Sequence, residues 1–147
     1  SIYEKKQYYR INKINFLNSF QVPLNIINQE FLNVINKKHR FYLRSIFLQG
    51  LLLSDKINYS LLNKRLIKSH LNYLNFIKKN KINPLKLCLQ FINSIKFCNY
   101  YILGVQQSGQ LTELLKYKNS RITNKKMIHR IRLLFNSKDS DPRKWVI

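Results

Sequence analysis

Residues 61–79 carry the clearest periodicity in the sequence, and they constrain the fold more than any other segment. Apolar side chains recur every three or four positions, at Leu62, Leu66, Tyr73 and Ile77. Lysines and asparagines occupy the opposite side of the same helical projection. A period near 3.6 residues is that of an amphipathic α-helix with one face in a core. The segment therefore predicts a surface helix.

Further helices are predicted on both sides of this one. Asn83 and Pro84 form a helix start, because asparagine caps the first turn and proline suits the first helical position. Apolar spacing of three and four residues predicts a helix over Thr123–Phe135 and one or two helices between Leu24 and Leu53. The sequence thus favours a mainly helical protein.

The stretch after Lys96 has a different character from these helical segments. It is aromatic and rich in β-forming residues, and Gly104 and Gly109 bracket a short polar run. We expect a short β-hairpin around residues 98–115 in an otherwise mainly α fold with basic terminal extensions. The expected division is a basic and aromatic extension over 1–22, a helical RNA-binding domain over 24–135, and a polar, basic tail over 136–147.

The charge of the chain points to a partner. Its 147 residues include 27 lysines and arginines but only 6 acids, a formal net charge of +21. At 45% hydrophobic residues the chain is too apolar to be a disordered basic tail. A folded protein with so much uncompensated charge repels itself, so a polyanion such as RNA is the expected partner.

Sites of catalysis or metal binding are not predicted. The six acids are scattered, the histidines are dispersed, and neither a phosphate-binding glycine loop nor a nucleophile motif is present. Cys88 and Cys98 are too few for a metal site and are expected as reduced, partly buried thiols, with their redox compartment left open. We therefore expect no enzyme, no cofactor and no small-molecule substrate. The longest apolar stretch, 45–53, is too short for a membrane span.

Basic side chains cluster beside aromatic ones in every third of the chain. Lysine and arginine neutralise phosphates, and aromatic rings stack on unpaired bases, so these clusters are candidate RNA contacts. The predicted RNA-binding residues are Lys5, Lys6, Arg10, Lys37, Lys38, Arg40, Arg44, Lys64, Lys68, Lys116, Lys118, Arg121, Lys125, Lys126, Arg130 and Arg132.

One set of motifs resembles ribosomal protein seven of the small subunit. Leu61–Lys79 is similar to its long helix, and Asn83-Pro84-Leu85 with Asn93-Ser94-Ile95-Lys96 is similar to its second helix. Tyr100–Leu115 stands where its hairpin lies, and Asn124–Phe135 where its basic helix lies. The hairpin's Arg-Arg-Val-Gly-Gly is missing from this chain, and little sequence remains for the family's last helix.

A second set of motifs resembles ribosomal protein twenty of the large subunit. Ile57-Asn58-Tyr59-Ser60 is similar to its Leu-Ser-Tyr-Ser, and Leu66-Ile67-Lys68 is similar to its Leu-Lys-Lys. This resemblance covers less of the chain than the first. Either one implies an rRNA-binding scaffold without catalytic residues.

The absence of alanine, with 18 isoleucines, 19 lysines and 18 asparagines, indicates an AT-biased genome such as that of an organelle. The expected function is therefore a structural constituent of a mitochondrial ribosome, in the matrix, that binds rRNA and neighbouring ribosomal proteins. A plastid-type organelle remains open as its location. The alternatives are a basic accessory subunit of a mitochondrial inner-membrane respiratory complex and a fragment of an intron-associated nuclease or maturase.

Overall fold

Three parallel strands form the sheet in the part of the chain that the structure describes. The computed structural model describes residues 1–96, 98, 100–121 and 124–145, with Leu61 described by its backbone alone. The strands are β1 (Ser19–Pro23), β2 (Arg40–Arg44) and β3 (Tyr100–Tyr101). They lie in the order β1-β2-β3, and both neighbouring pairs are parallel.

One face of this sheet is built from large apolar side chains. Phe20 and Val22 of β1 pair in register with Phe41 and Leu43 of β2, and all four are buried. Successive side chains of a strand point to opposite faces, so this alternation places the four residues on one side. The ring of Tyr8 packs edge-on against Phe20 at a centroid distance of 5.1 Å. This face carries one side of the hydrophobic core.

The described part of the chain contains five α-helices. Their bounds are α1 (Lys5–Ile11), α2 (Lys64–Lys79), α3 (Pro84–Asn93), α4 (Ser108–Lys116) and α5 (Lys125–Leu133). Four short 3-10 turns lie between and after them, at Glu30–Asn33, Tyr59–Leu61, Ser137–Ser140 and Pro142–Lys144.

Three predicted helices are confirmed by α2, α3 and α5. Asn63, Asn83 and Asn124 cap them, each accepting a hydrogen bond through its side chain from a backbone N–H in the first turn. Pro84 occupies the first turn of α3 as expected. Thr123, the expected first residue of the last helix, lies outside the described residues.

Helix α2 packs one of its sides into the hydrophobic core. Leu66, Tyr73 and Ile77 are buried along one side of it, as the periodicity predicts. The Tyr73 hydroxyl donates a hydrogen bond of 2.8 Å to the carbonyl oxygen of Leu52. This bond fixes α2 against the segment that follows β2.

The expected mainly α class is wrong, because a parallel sheet organises the core. The expected β-hairpin over 98–115 is also wrong. Tyr100 and Tyr101 form a strand parallel to β2, and the second half of the expected hairpin is the helix α4. Asn99 lies outside the described residues. Strands that run in the same direction need long crossover connections, which a hairpin cannot supply.

The expected helix between Leu24 and Leu53 is wrong for the same reason. β2 lies in the middle of this segment, and only a four-residue 3-10 turn, Glu30–Asn33, precedes it. Most of the apolar residues at helical spacing are buried, but they lie in extended segments and turns and not in a helix. In this segment the spacing therefore indicated which residues are buried but not the conformation of the backbone.

Candidate functional site

The carboxyl ends of β1 and β2 are tied together by one buried side chain. Asn25, two residues past β1, donates from Nδ2 to the carbonyl oxygen of Ser45 at 3.0 Å. Its Oδ1 accepts hydrogen bonds from the backbone N–H groups of Ile27 and Asn28. Asn25 thus shapes the loop after β1 and holds it against the first residue after β2. In open parallel sheets, ligands bind outside the carboxyl ends of the strands.

The chain after β2 adopts an unusual backbone conformation. Ser45, Leu48 and Gln49 have φ angles of 58°, 47° and 53°, and Gly50 has a φ of 85°. Left-handed backbone costs an L-residue roughly 1–2 kcal/mol. Backbone strain of this kind clusters at binding and catalytic sites. Here it accompanies a run of turns over residues 46–53, directly after β2.

A cleft of about 470 Å³ opens at this end of the sheet. Its walls come from the N-terminal segment, the loops after β1 and β2, and the two C-terminal 3-10 turns. The lining residues with polar or charged side chains are Tyr3, Glu4, Lys6, Asn28, Glu30, Arg44, Ser45, Gln49, Ser137, Lys138, Ser140, Asp141, Arg143 and Lys144.

A tyrosine between two arginines forms one wall of the cleft. The guanidinium carbons of Arg44 and Arg143 each lie 4.2 Å from the centre of the Tyr3 ring. Arg143 is held by two hydrogen bonds of 2.8 Å to the carboxylate of Asp141. Arg44 donates instead to neutral acceptors, the hydroxyls of Ser1 and Ser45, both at 3.2 Å. Arg44 is therefore positioned without being neutralised.

Cations outnumber acids on the walls of the cleft. Its five cations are Lys6, Arg44, Lys138, Arg143 and Lys144, and its three acids are Glu4, Glu30 and Asp141. Hydrogen bonding from Arg143 lowers the pKa of Asp141 despite partial burial. Hydrogen bonding from Lys6 likewise lowers the pKa of Glu4. Both carboxyls are ionised at neutral pH, and the cleft retains a positive excess that suits an anionic ligand.

The sixteen predicted RNA-binding residues do not gather into one site. Lys6 and Arg44 line the cleft. The other fourteen are spread over α1, β2, α2, α4, α5 and the loops, and nearly all of them are exposed. Lys5 and Arg44 are half-buried. The four basic residues of α5 flank a buried pair, Ile128 and Ile131, as the amphipathic pattern predicts.

Most of the cleft is not predicted by the sequence. Arg143 and Lys144 fall in the predicted tail and Tyr3 in the predicted extension, although all three line the cleft. Asn25 and Ser45 carry no motif, and their role follows only from the parallel pairing of β1 with β2. The alternation of Phe41 and Leu43 with Arg40, Tyr42 and Arg44 was the available signal for a strand at this position.

The described ranges hold neither a cluster of possible metal ligands nor a helix able to span a membrane. No three His, Cys, Asp or Glu side chains there converge to hold a metal ion. No helix in that part of the chain combines the length and the apolar character needed to cross a membrane. Cys88 is buried and Cys98 half-buried, and neither forms a disulfide.

Comparisons with known proteins give a structural likeness. No protein-family model matches the chain, and no curated protein matches it. Among solved structures, the chain is similar to the aldo-keto reductase AKR11C1 from Bacillus halodurans in its holo form, with a TM-score of 0.62 and 14% identity. The match covers 90% of this chain and 46% of that one, so the chain spans about half the length of the reductase.

This likeness gives the fold, which is that of part of a TIM-type barrel. It also overturns the expectation that the chain is not an enzyme, because the protein that shares the fold is one. That expectation was based on the six acidic residues being scattered along the sequence. Catalysis in a barrel draws on residues from the ends of several strands, which need not be clustered in sequence.

Proposed function

We propose that the cleft at the carboxyl ends of β1 and β2 is part of the ligand site of a carbonyl reductase of the aldo-keto type. Its position carries the proposal, because catalytic sites of barrels of parallel strands lie at the carboxyl ends of those strands. The strained turn after β2 and the fold likeness support it. The chain spans about half the length of the similar reductase, so the proposal concerns the part of such a site that this chain's residues line.

The charge of the cleft fits the chemistry of such an enzyme. Reduction of a carbonyl needs a hydride donor, which proteins take from nicotinamide or flavin cofactors. These cofactors carry phosphate groups. Arg44 and Lys138 line the cleft and have no acidic partner among the described residues. Arg44 is the better candidate, because its fork is already oriented by Ser1, Ser45 and Tyr3.

Binding of NADPH and NADH, followed by nucleotide fluorescence, tests this proposal together with reduction of 4-nitrobenzaldehyde. Arg44→Met removes the charge and keeps much of the side-chain volume. We expect it to weaken nucleotide binding by about 1.5–3 kcal/mol, the contribution of a hydrogen bond to a charged group. Lys79→Met, at an exposed position on α2, removes the same charge away from the cleft. Equal affinity in the two variants, or the absence of nucleotide binding by the unaltered protein, would contradict the proposal.

The net charge of +21 favours a second function, binding of rRNA as a component of a mitochondrial ribosome. Exposed lysines and arginines on α1, α2 and α5 would contact phosphates in that case. Affinity for RNA would then fall steeply with salt, by roughly three to five decades for about six to ten contacts between low and moderate salt. Co-sedimentation with ribosomal subunits supports this function, whereas co-sedimentation with a membrane complex or with neither particle counts against it.

A further inference from the structure

A cavity of about 390 Å³ lies between the loop after β1 and the helices α3 and α5. Its walls are the 3-10 turn Glu30–Asn33 with residues beside it, the last turn of α3 with the residues after it, and the amino-terminal half of α5. Within the described chain, its lining shares no residue with that of the cleft. Pockets that hold small molecules have volumes of about 300–1,000 Å³, so this cavity has room for one.

The inner wall of the cavity is apolar. Ile35, Phe91 and Ile128 line it, and all three are buried. Leu32 and Ile95 also line it, are half-buried and pack against the hydrophobic core. Removing such a surface from water is favourable, so the wall favours an occupant with an apolar body.

The outer end of the cavity is basic. Lys96, Lys125 and His129 line it and are exposed, so they lie where the cavity meets the solvent. None of the three forms an ion pair with an acid in the described part of the chain. Glu30, the acid of the neighbouring turn, lines the cleft instead and accepts a hydrogen bond from the Lys5 backbone N–H at 3.3 Å. The two lysines therefore leave positive charge at this end without a counter-charge.

Two neutral polar side chains of the lining are engaged within the fold. Gln29 donates from Nε2 to the carbonyl oxygen of Ile26 at 2.8 Å. The Ser94 hydroxyl donates to the carbonyl oxygen of Gln90 at 2.7 Å. The lysine ammonium groups are thus the strongest polar groups that an occupant of the cavity can meet.

We propose that this cavity binds a small amphipathic anion, a carboxylate on an apolar chain such as a medium-chain fatty acid. The chain lies against Ile35, Phe91 and Ile128, and the carboxylate accepts charge-assisted hydrogen bonds from Lys96 and Lys125. An apolar pocket with a few polar groups that fix orientation is the usual form of a small-molecule site. The inference does not depend on the function proposed for the cleft.

A nucleotide fits the cavity less well than this anion. Bases are read through hydrogen bonds along their edges, and the wall facing the occupant is aliphatic apart from Phe91. A second copy of the chain also fits less well, because each copy carries a net charge of +21.

Calorimetric titration of the full chain with decanoate tests the inference. Hexanoate should bind at least roughly tenfold more weakly than decanoate, because it buries four fewer methylene groups. A double variant, Lys96→Met with Lys125→Met, should weaken decanoate binding roughly tenfold, since two ion pairs are lost. The matched control is Lys68→Met with Lys79→Met, which removes the same charge from exposed positions on α2 and should leave the affinity unchanged.

Each other outcome overturns the inference. Equal weakening in the two double variants, or equal affinity for hexanoate and decanoate, means that decanoate responds only to the overall charge. Loss of decanoate binding in the Arg44→Met variant places the anion in the cleft. Adenosine monophosphate that binds as tightly as decanoate and is weakened by the same double variant identifies a nucleotide site. Failure of the unaltered protein to bind decanoate also overturns it, whereas failure to bind NADPH concerns the cleft alone.

Discussion

Arg65 on α2 donates a hydrogen bond from Nε to Oδ1 of Asp139 at 3.0 Å, across 74 positions of the chain. The carboxylate is buried, and its Oδ2 also accepts from the Ser69 hydroxyl and from the Asn136 backbone N–H. The backbone carbonyl of the same residue accepts from the Trp145 indole. Asp139 thus joins the C-terminal 3-10 turns, and with them one wall of the cleft, to α2.

Asp139→Asn should lower the free energy of unfolding by about 2 kcal/mol or more. The amide nitrogen cannot accept the hydrogen bonds that the carboxylate accepts, and bonds to a charged group contribute about 1.5–3 kcal/mol. Urea denaturation measures the change. Asp55→Asn, at an exposed position, is the control and should change stability little. Equal stability of the two variants would contradict the role of Asp139 in holding the C-terminal turns against α2.

Gly50→Ala should destabilise the protein by about 1 kcal/mol, the penalty for an L-residue in left-handed backbone. Gly50 has a φ of 85°, and no atom lies near the position of an added Cβ, so backbone strain is the whole effect. Gly109→Ala is the matched control, because space around it is also open but it lies within α4. That change should stabilise by about 0.5–1 kcal/mol, since alanine is the better helix former. Thermal denaturation of both variants checks the opposite signs.

Stability should fall as the pH drops below about 6.5, the ordinary pKa of histidine. Burial lowers the pKa of His70, although hydrogen bonds with the backbone at Leu51 and Ser54 oppose this shift. Burial also lowers the pKa of His39. The unfolded chain therefore takes up protons that the folded chain refuses, and stability is lost from the unfolded pKa down through the folded one.

Urea denaturation across pH 5–8 measures this dependence, with a slope of up to about 1.4 kcal/mol per pH unit for each group. In the His70→Gln variant the free energy of unfolding should fall less steeply as the pH decreases. In the His129→Gln variant, at an exposed position, it should be unchanged. Identical profiles for all three proteins would contradict the assignment to His70.

Both thiols should react slowly with Ellman's reagent at pH 8 in the folded protein. Burial raises the pKa of the Cys88 thiol to about 12 and that of Cys98 to about 11, so thiolate is scarce at that pH. Cys98 is less buried and should react first. In guanidinium chloride both should react rapidly. A Cys88→Ser variant identifies the residue behind each phase, and fast reaction of Cys88 in the folded state would contradict its burial.

Helices α2, α3 and α5 could be predicted from local sequence because each carries its own signals, whereas α1 and α4 were not predicted. Asn83 and Pro84 predict the start of α3. The spacing of Leu66, Tyr73 and Ile77 predicts which side of α2 is buried. These signals depend on residues at most a few turns apart. They require no knowledge of the rest of the chain.

The sheet and the cleft could not be predicted in this way. In β2 the buried Phe41 and Leu43 alternate with more exposed neighbours, which is a strand pattern. This pattern is only five residues long, and the apolar residues before and after it recur at the spacing of a helix. β3 is two residues long and has no pattern at all. The cleft depends on which strand ends meet, and a parallel pairing brings together residues that are remote in sequence.

The pairing of Tyr42 with Tyr100 also has a kinetic consequence. β2 and β3 are neighbours in the sheet, but in the sequence a long connection that contains α2 and α3 separates them. Contacts between residues so remote in sequence slow folding, because the entropy of closing the loop is lost before the contact can stabilise the chain. During synthesis β1 and β2 emerge early and must wait for Tyr100 before the third strand can form. Until then the edge of β2 that later binds β3 is unpaired, and the nascent chain is most prone to aggregation in that interval.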